Sequence, residues 1–339
     1  MIIKKILLFP FAIIYFLVTE LRNSFYNKKI LKSFSFKIPI IGIGNLSVGG
    51  TGKTPMAEYI FDNFRKDYKL ALLSRGYNRS TKGFKLADQN SDAKTIGDEP
   101  LQIFKKFKNI VVAVDENRVR GVKKLLEIDG NLKSIILDDC FQHRKISPKL
   151  SILLTTYNEP FFRDHILPIG TLRESSKGYL RADLIVVTKC PSKLKSDKME
   201  SFKKQINLKS FQKIFFTSIS YSKNLSGTKH IEINDLQSEK ILLVTGIANS
   251  KPLLNYLADQ KINFFHLEFP DHYKYSKKDR DKIHKEFDKA CILTTEKDYF
   301  KIKSLKLNNS LYFIRMKIEF LNNSEQSFKK IIKKQININ

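Results

Sequence analysis

The stretch Gly44-Asn45-Leu46-Ser47-Val48-Gly49-Gly50-Thr51-Gly52-Lys53-Thr54-Pro55 follows the β-branched run Ile40 to Ile43 and precedes the helical spacing of Met56, Ala57, Tyr59 and Ile60. A glycine-rich turn between strand and helix lets successive backbone N–H groups face one anion, with the positive end of the helix behind them. In such a loop a lysine reaches the β- and γ-phosphates of a nucleoside triphosphate and the next hydroxyl ligates Mg²⁺, roles that fall to Lys53 and Thr54. Ser47, Val48, Gly49, Gly50, Thr51 and Gly52 are the remaining nucleotide-binding candidates. The usual pattern has glycine five positions before Gly52, and Ser47 stands there, so the strict expression misses by one residue. A glycine-rich turn without a ligand is the competing reading.

From Ile40 onward, short apolar runs at Leu70 to Leu73, Ile110 to Val114, Ser134 to Leu137, Ser151 to Leu154 and Leu184 to Val187 alternate with longer amphipathic stretches. Runs buried on both faces imply an α/β fold with a mostly parallel sheet, whose ligands sit at the carboxyl ends of the strands. Ser192 to Lys209 reads as an exposed helix, Ile214 to Ile219 as a strand and Tyr221 to Gln237 as polar loop. A second set of strands at Ile241 to Val244, Phe264 to Leu267, Cys291 to Thr294 and Leu311 to Arg315 predicts a smaller α/β domain. The predicted organisation is an N-terminal helix over 1–32, a P-loop core over 33–222 and a second domain over 223–339, with Lys329 to Lys334 as a solvated helix end.

Asp138 and Asp139 close the apolar run Ser134 to Leu137, where such a core needs an acid for the Mg²⁺ shell; an Asp after a strand also serves as a helix cap. Gly97-Asp98-Glu99-Pro100 precedes a helix, and capping alone would account for Asp98. Arg118 and Arg75 suit phosphate oxygens bidentately, or surface ion pairs equally well.

Lys and Arg number 61 against 34 Asp and Glu, a net charge of +27 that calls for anionic partners without choosing among them. Cys140, Cys190 and Cys291 are too scattered for a disulfide framework or a zinc site, which fits a reducing cytosol. Lys4 and Lys5 precede an apolar run from Ile6 to Val18, interrupted by Pro10 and shorter than the ~20 residues that cross a bilayer. Glu20, Leu21 and Arg22 stand where a signal peptide would have small residues. The expectation is a retained helix that contacts a membrane surface through its apolar residues, with Lys28 and Lys29 toward headgroups; an apolar helix packed on the core is the alternative.

The phosphate loop, together with Ser74-Arg75-Gly76-Tyr77, Gly97-Asp98-Glu99-Pro100, Asp138-Asp139-Cys140-Phe141-Gln142-His143-Arg144 and Phe269-Pro270-Asp271-His272-Tyr273, resembles the tetraacyldisaccharide 4′-kinase family. Leu172-Arg173-Glu174, Arg181-Ala182-Asp183 and Thr295-Glu296-Lys297-Asp298 add to the resemblance, which spans nearly the whole chain. Cys140 departs from the pattern, since the family has glycine after the paired Asp; a small side chain is tolerated there unless the backbone needs a positive φ. The resemblance implies ATP and Mg²⁺ as cofactors and phosphorylation of the 4′-hydroxyl of tetraacyldisaccharide 1-phosphate, a lipid A precursor, at the cytoplasmic face of a bacterial inner membrane. It implies Asp98 and His272 as the pair that removes the hydroxyl proton, with Lys53 on the phosphates. Thr54, Asp138, Asp139 and Glu99 fall on the metal side, and Tyr77 and Arg118 on the nucleotide.

A membrane-associated P-loop ATPase acting as a conformational switch is the rival from another class. Its loop begins Lys-Gly-Gly, and Val48 occupies that lysine position. A nucleic-acid binder would explain the charge, but the chain has no zinc spacing, RNP-like aromatic run or basic region with heptads. No specific nucleic acid and no obligate protein partner are expected, besides the anionic membrane surface.

Overall fold

The computed structural model describes residues 2–271 and 273–337. Contacts divide them into one unit that runs to Ser218 and resumes at Ile318, and a second that spans Ile219–Lys317. The first unit holds α1 (Ile2–Asn27), β1 (Ile40–Asn45), α2 (Lys53–Phe64), β2 (Leu70–Ser74), β3 (Lys85–Leu86), α3 (Ala93–Ile96) and α4 (Asp98–Lys106). It continues through β4 (Val111–Val114), α5 (Arg118–Ile128), β5 (Ser134–Leu137), β6 (Leu150–Thr156), β7 (Leu184–Cys190), α6 (Ser196–Ile206) and β8 (Lys213–Tyr221). The second carries β9 (Asn224–Gly227), β10 (Ile231–Glu232), β11 (Ile241–Thr245), α7 (Lys251–Asp259), β12 (Phe264–Glu268), α8 (Lys277–Phe287), β13 (Cys291–Thr295), α9 (Glu296–Lys303) and β14 (Leu311–Ile314). The chain then returns through β15 (Met316–Phe320) to α10 (Glu325–Ile336).

The large sheet has the order β15-β8-β7-β6-β1-β5-β2-β4-β3. From β4 to β8 neighbouring strands pair in parallel, and β3 joins antiparallel at the edge. β1 is central, with β5 and then β2 on one side and β6 on the other, so its carboxyl end opens at the point where the strand order reverses. Alternating residues serve the two faces. Ile41 and Ile43 pack with Met56, Ile60 and Phe61 of α2, whereas Ile40 packs with Val122 and Leu125 of α5. Farther along the α5 side, Met199, Phe202 and Ile206 of α6 cover Ile185 and Val187. The smaller sheet, ordered β10-β9-β14-β13-β11-β12, is parallel from β12 to β14 and antiparallel beyond.

Three sequence expectations are corrected. Residues 318–339 do not belong with the second domain: Phe328, Ile332 and Ile336 of α10 enter the core that α2 lines. Phe328 packs edge-on against Tyr59 and Phe215 and tilted against Phe320, and Tyr59 donates from its hydroxyl to Glu325 at 2.8 Å. The Lys329 to Lys334 run is thus the outer side of a core helix. Tyr221 to Gln237 is not all loop, because β9 and β10 lie in it; at 4 and 2 residues they depend on pairing, β9 with β14 and β10 with β9, rather than on a pattern of their own.

The third correction concerns α1, which at 26 residues is far longer than the apolar run and extends about 39 Å at 1.5 Å per residue. Its Leu7–Asn27 portion, with mean hydropathy 1.3, is long and apolar enough to cross a membrane by length and composition. Ala12 and Asn23 are buried and Tyr15 and Tyr26 partly so, on one stripe of the helix, while Leu7, Phe9, Phe11, Ile14, Leu17 and Val18 are exposed.

Phe328→Ala is expected to destabilise the protein by about 3–5 kcal/mol, the cost of a large cavity in a close-packed core. Urea unfolding measures it; a cost below about 1 kcal/mol would place α10 outside the core.

Candidate active site

The phosphate loop is held at both ends and open in the middle. The Val48 N–H donates to the Thr171 carbonyl at 2.8 Å, Ser47 bridges Leu172, and the Thr188 hydroxyl donates to the Thr51 carbonyl at 2.8 Å. Val48, Gly49 and Gly50 between these anchors are exposed. Gly52, at the N-cap of α2, has φ +92°, a left-handed conformation that a side chain would strain. Ser47 is not among the residues with positive φ, so the position that differs from the strict pattern needs no glycine.

Leu137 pairs with Gly42, so the two residues that follow β5 come level with the start of the loop. The segment from Asp139 to Gln142 then crosses β1 so closely that a Cβ on Gly44 would lie 2.6 Å from that of Phe141. Positive φ falls on Asp139, at 46°, and not on Cys140. Cys140 therefore keeps an ordinary backbone, and its buried thiol, pushed up to about 12 by burial, is a packing group.

Lys53, with its side chain 13% exposed, points its ammonium at Asp139, 3.6 Å away, and at the Asn45 side-chain oxygen, 3.4 Å away. Arg173 donates through one nitrogen to both Asp139 oxygens at 3.1 Å. Burial drives the Asp139 carboxyl upward, but Lys53 and Arg173 outweigh it and hold the group below the usual carboxylate range. Asp138 contrasts with it: it is 2% exposed, one of its oxygens has no hydrogen-bond partner, and burial with the nearby Glu99 pushes it up to about 7. Among the described residues no three His, Cys, Asp or Glu side chains form a metal cage. Mg²⁺ at a phosphate loop needs only one or two carboxylates and completes its shell with phosphates and water. An orphaned buried carboxylate oxygen beside Lys53 fits that requirement.

Arg118 is 3% exposed, which removes the surface ion-pair reading; Arg120 takes the surface pair instead, donating to both Asp115 oxygens at 2.7 and 2.9 Å. Arg118 donates to the Asp115 carbonyl at 3.0 Å, while its buried Nε has no partner. Burial lowers its pKa, opposed by Cys140, Asp138 and Asp139. Asp98 is the first residue of α4 and not its cap; Gly97 is the cap and packs against the Tyr77 carbonyl. The capping explanation of Asp98 therefore falls. Asp98 and Glu99 are half-buried, Arg75 is exposed and Tyr77 is 70% exposed. His272 lies outside the described residues. In the second unit, Lys297 donates to the preceding Asp271 at 2.6 Å, which gives the Thr-Glu-Lys-Asp segment a local role.

A set of polar contacts not foreseen from the sequence ties α1 to this floor. Glu174, 2% exposed, accepts from Asn23 at 2.8 Å, Gln142 at 2.9 Å and Arg181 at 2.9 Å. Gln142 also donates to the Asn45 carbonyl at 2.9 Å, Tyr15 donates to the Arg173 carbonyl at 2.9 Å, and Arg22 donates to the Gln142 carbonyl. Apart from Arg181 to Glu174, these bonds join residues 32 or more apart, so the signal available was the resemblance of the segments that hold Gln142, Arg173, Glu174 and Arg181.

His143 next to Gln142 has its Nε2 buried without a partner, and burial with the Arg118 charge lowers its pKa to about 4. Because that folded-state value lies below the ordinary 6.5, the unfolded chain binds the extra proton first. Stability from a neutral His143 is complete above about pH 6.5 and declines toward pH 4. The urea midpoint of the unmodified chain is expected to drop more between pH 7 and pH 5 than that of His143→Gln; equal drops would contradict it.

Comparison with known proteins agrees with this arrangement. The profile of the family described as tetraacyldisaccharide-1-P 4'-kinase matches residues 4–337. A tetraacyldisaccharide 4'-kinase of Flavobacterium johnsoniae is 45% identical over 96% of this chain and 95% of its own length. One from Bacteroides thetaiotaomicron is 40% identical over 95% and 90%. A crystal structure described as the "apo" form of LpxK from Aquifex aeolicus in complex with ATP superposes with a TM-score of 0.78, at 28% identity, covering 98% of this chain and 99% of that one. With the phosphate loop, the paired aspartates and full-length relatives in agreement, this chain belongs to the tetraacyldisaccharide-1-P 4'-kinase family.

Proposed function

We propose that the protein transfers the γ-phosphate of ATP to the 4′-hydroxyl of tetraacyldisaccharide 1-phosphate in lipid A biosynthesis, at the cytoplasmic face of the inner membrane. The observation that carries this reading is the charge arrangement beneath the loop: Lys53 resting on Asp139, with Asp138 and Arg118 desolvated beside them. Incoming phosphates compete with Asp139 for the Lys53 ammonium and give Arg118 an anion. With Ser47 and Val48 anchoring the loop, its remaining amides as far as Thr54 hold the phosphate chain, and Tyr77, on its exposed turn, closes over the nucleotide. Mg²⁺, held by Thr54 and Asp138 with Asp139 and Glu99 around it, would neutralise charge on the β- and γ-phosphates. Asp98 orients His272, which takes the proton of the 4′-hydroxyl as that oxygen bonds to the γ-phosphorus and the bond to the bridging oxygen of ADP breaks.

The membrane assignment rests on α1. A helix on a water-soluble protein buries its apolar side, but here the docked stripe carries Tyr15 and Asn23 and the exposed side is apolar. Docking from Ala12 to Asn27 favours a helix lying in the lipid interface over one that crosses it. A cavity of about 590 Å³ at the end of α1 combines Tyr26, Leu31 and Phe34 with Lys123, Lys124 and Lys145, a lining suited to an acidic amphiphile. Specific nucleic acid and an obligate protein partner have no place in this reading, and Val48 counts against a switch ATPase.

Transfer of labelled phosphate from ATP to the lipid in detergent micelles tests the reaction. Lys53→Ala is expected to lower kcat by about 10²–10³, the scale for removing one preorganised charge from a transition state. ATP hydrolysis at a similar rate without lipid, with no phosphorylated product, would leave the switch ATPase standing. Phe11→Glu combined with Leu17→Glu is expected to move the protein from anionic vesicles to the soluble fraction in flotation while leaving ATP binding intact. Unchanged flotation would refute the membrane role of α1.

A further inference from the structure

Lys189, at the end of β7, is a residue that the reading above does not use. Its backbone is left-handed, with φ 55°. The register between β7 and β8 shifts between Val187 and Cys190, so a bulge turns this side chain away from its strand direction. The preceding Thr188 holds the Thr51 carbonyl at 2.8 Å and the Thr155 carbonyl at 3.2 Å. A methyl group added at Gly50 would meet the Lys189 ammonium at 3.9 Å, so the lysine lies against the open middle of the phosphate loop.

The ammonium makes no hydrogen bond or ion pair among the described residues; Glu159 acts on it only as a nearby charge. It is half-buried, and burial lowers its pKa. A strained backbone that brings a desolvated, unpaired cation to a loop of anion-facing amides is explained by an anion that completes the site. Lys53 approaches the floor from α2, where it meets Asp139, whereas Lys189 comes from β7 and flanks Gly50.

We infer that Lys189 is a second nucleotide-binding cation, whose ammonium donates to a phosphate oxygen of ATP on the Gly50 side of the loop. The inference rests on the nucleotide reading above. Thr188 and Lys189 act as a pair, the first fixing the loop backbone and the second supplying charge to what the loop holds.

Calorimetric titration of the full-length protein with ATP and with inorganic tripolyphosphate, without lipid, tests it. Lys189→Met is expected to weaken both ligands about tenfold, the scale of one charge-assisted hydrogen bond, and to raise KM for ATP with kcat little changed. Lys189→Arg is expected to stay within about threefold of the unmodified protein. Affinity for either ligand unchanged in Lys189→Met, or Lys189→Arg as weak as Lys189→Met, would overturn the inference. Should Lys189→Met not fold, amine acylation of the unmodified protein decides: ATP should protect Lys189 from labelling, and equal labelling with and without ATP would overturn it. Lys53→Ala serves as the control. An unmodified protein that does not bind ATP sinks the nucleotide reading itself, whereas loss in Lys53→Ala but not in Lys189→Met sinks this inference alone.

Discussion

Desolvated charge beneath the phosphate loop is the constraint around which the first unit is arranged. Asp138 and Arg118 are buried with polar atoms unpaired, and Lys53 is drawn onto Asp139. Isolated charges in a protein interior are costly, and such a group is retained where something offsets it. Here the offset is partial: Arg173 and Lys53 satisfy Asp139, but among the described residues nothing satisfies the orphaned Asp138 oxygen or the Arg118 Nε. The floor is therefore preorganised for a ligand that brings both an anion and a cation. The close crossing of the Asp139 to Gln142 segment over glycines of β1 is what brings these groups within reach of one another.

The same floor extends outward to α1. Gln142 and Glu174 each contact α1 on one side and phosphate-loop structure or its neighbours on the other. Polar bonds are suited to this contact, since an apolar face spent on the protein would not be available to lipid. The apolar side of α1 is left exposed, and the helix is held by the buried Ala12 together with polar bonds that run from Tyr15 to Arg173, Arg22 to Gln142 and Asn23 to Glu174.

How much of this was legible in the sequence follows from the range of each interaction. The phosphate loop, the acidic strand end and the alternation of β1, β2, β4, β5, β6 and β7 with helices are local patterns, and the sequence carried them. Ser47 was read as a defect because spacing cannot report φ, and the doubt over Cys140 had the same origin. Asp98 was open to a capping role until Gly97 was seen to occupy the cap. Arg118 was open to a phosphate contact or a surface ion pair, because burial and not residue type decides between them. The Glu174 contacts, 151 residues apart in the case of Asn23, leave no periodicity at all. Lys329 to Lys334 is a solvated helix end as expected, with Lys330, Lys333 and Lys334 exposed, but Phe328, Ile332 and Ile336 at intervals of four, which tie that helix to the first unit, were passed over.

The return of β15 and α10 to the first unit makes the second unit an insertion, and its two junctions fall in β8 and β15, which are neighbours at one edge of the sheet. Strand ends already side by side cost little entropy to bridge with a long excursion. During synthesis, however, the first unit emerges without its last strand and without the helix that covers α2. Tyr59 and Phe215, which Phe320 and Phe328 contact, then stay uncovered until the whole second unit has left the ribosome. A chain that finishes its nucleotide-binding unit last is exposed to aggregation and proteolysis while the intervening unit is made, and that kinetic hazard is set by topology, not by the stability of the finished fold.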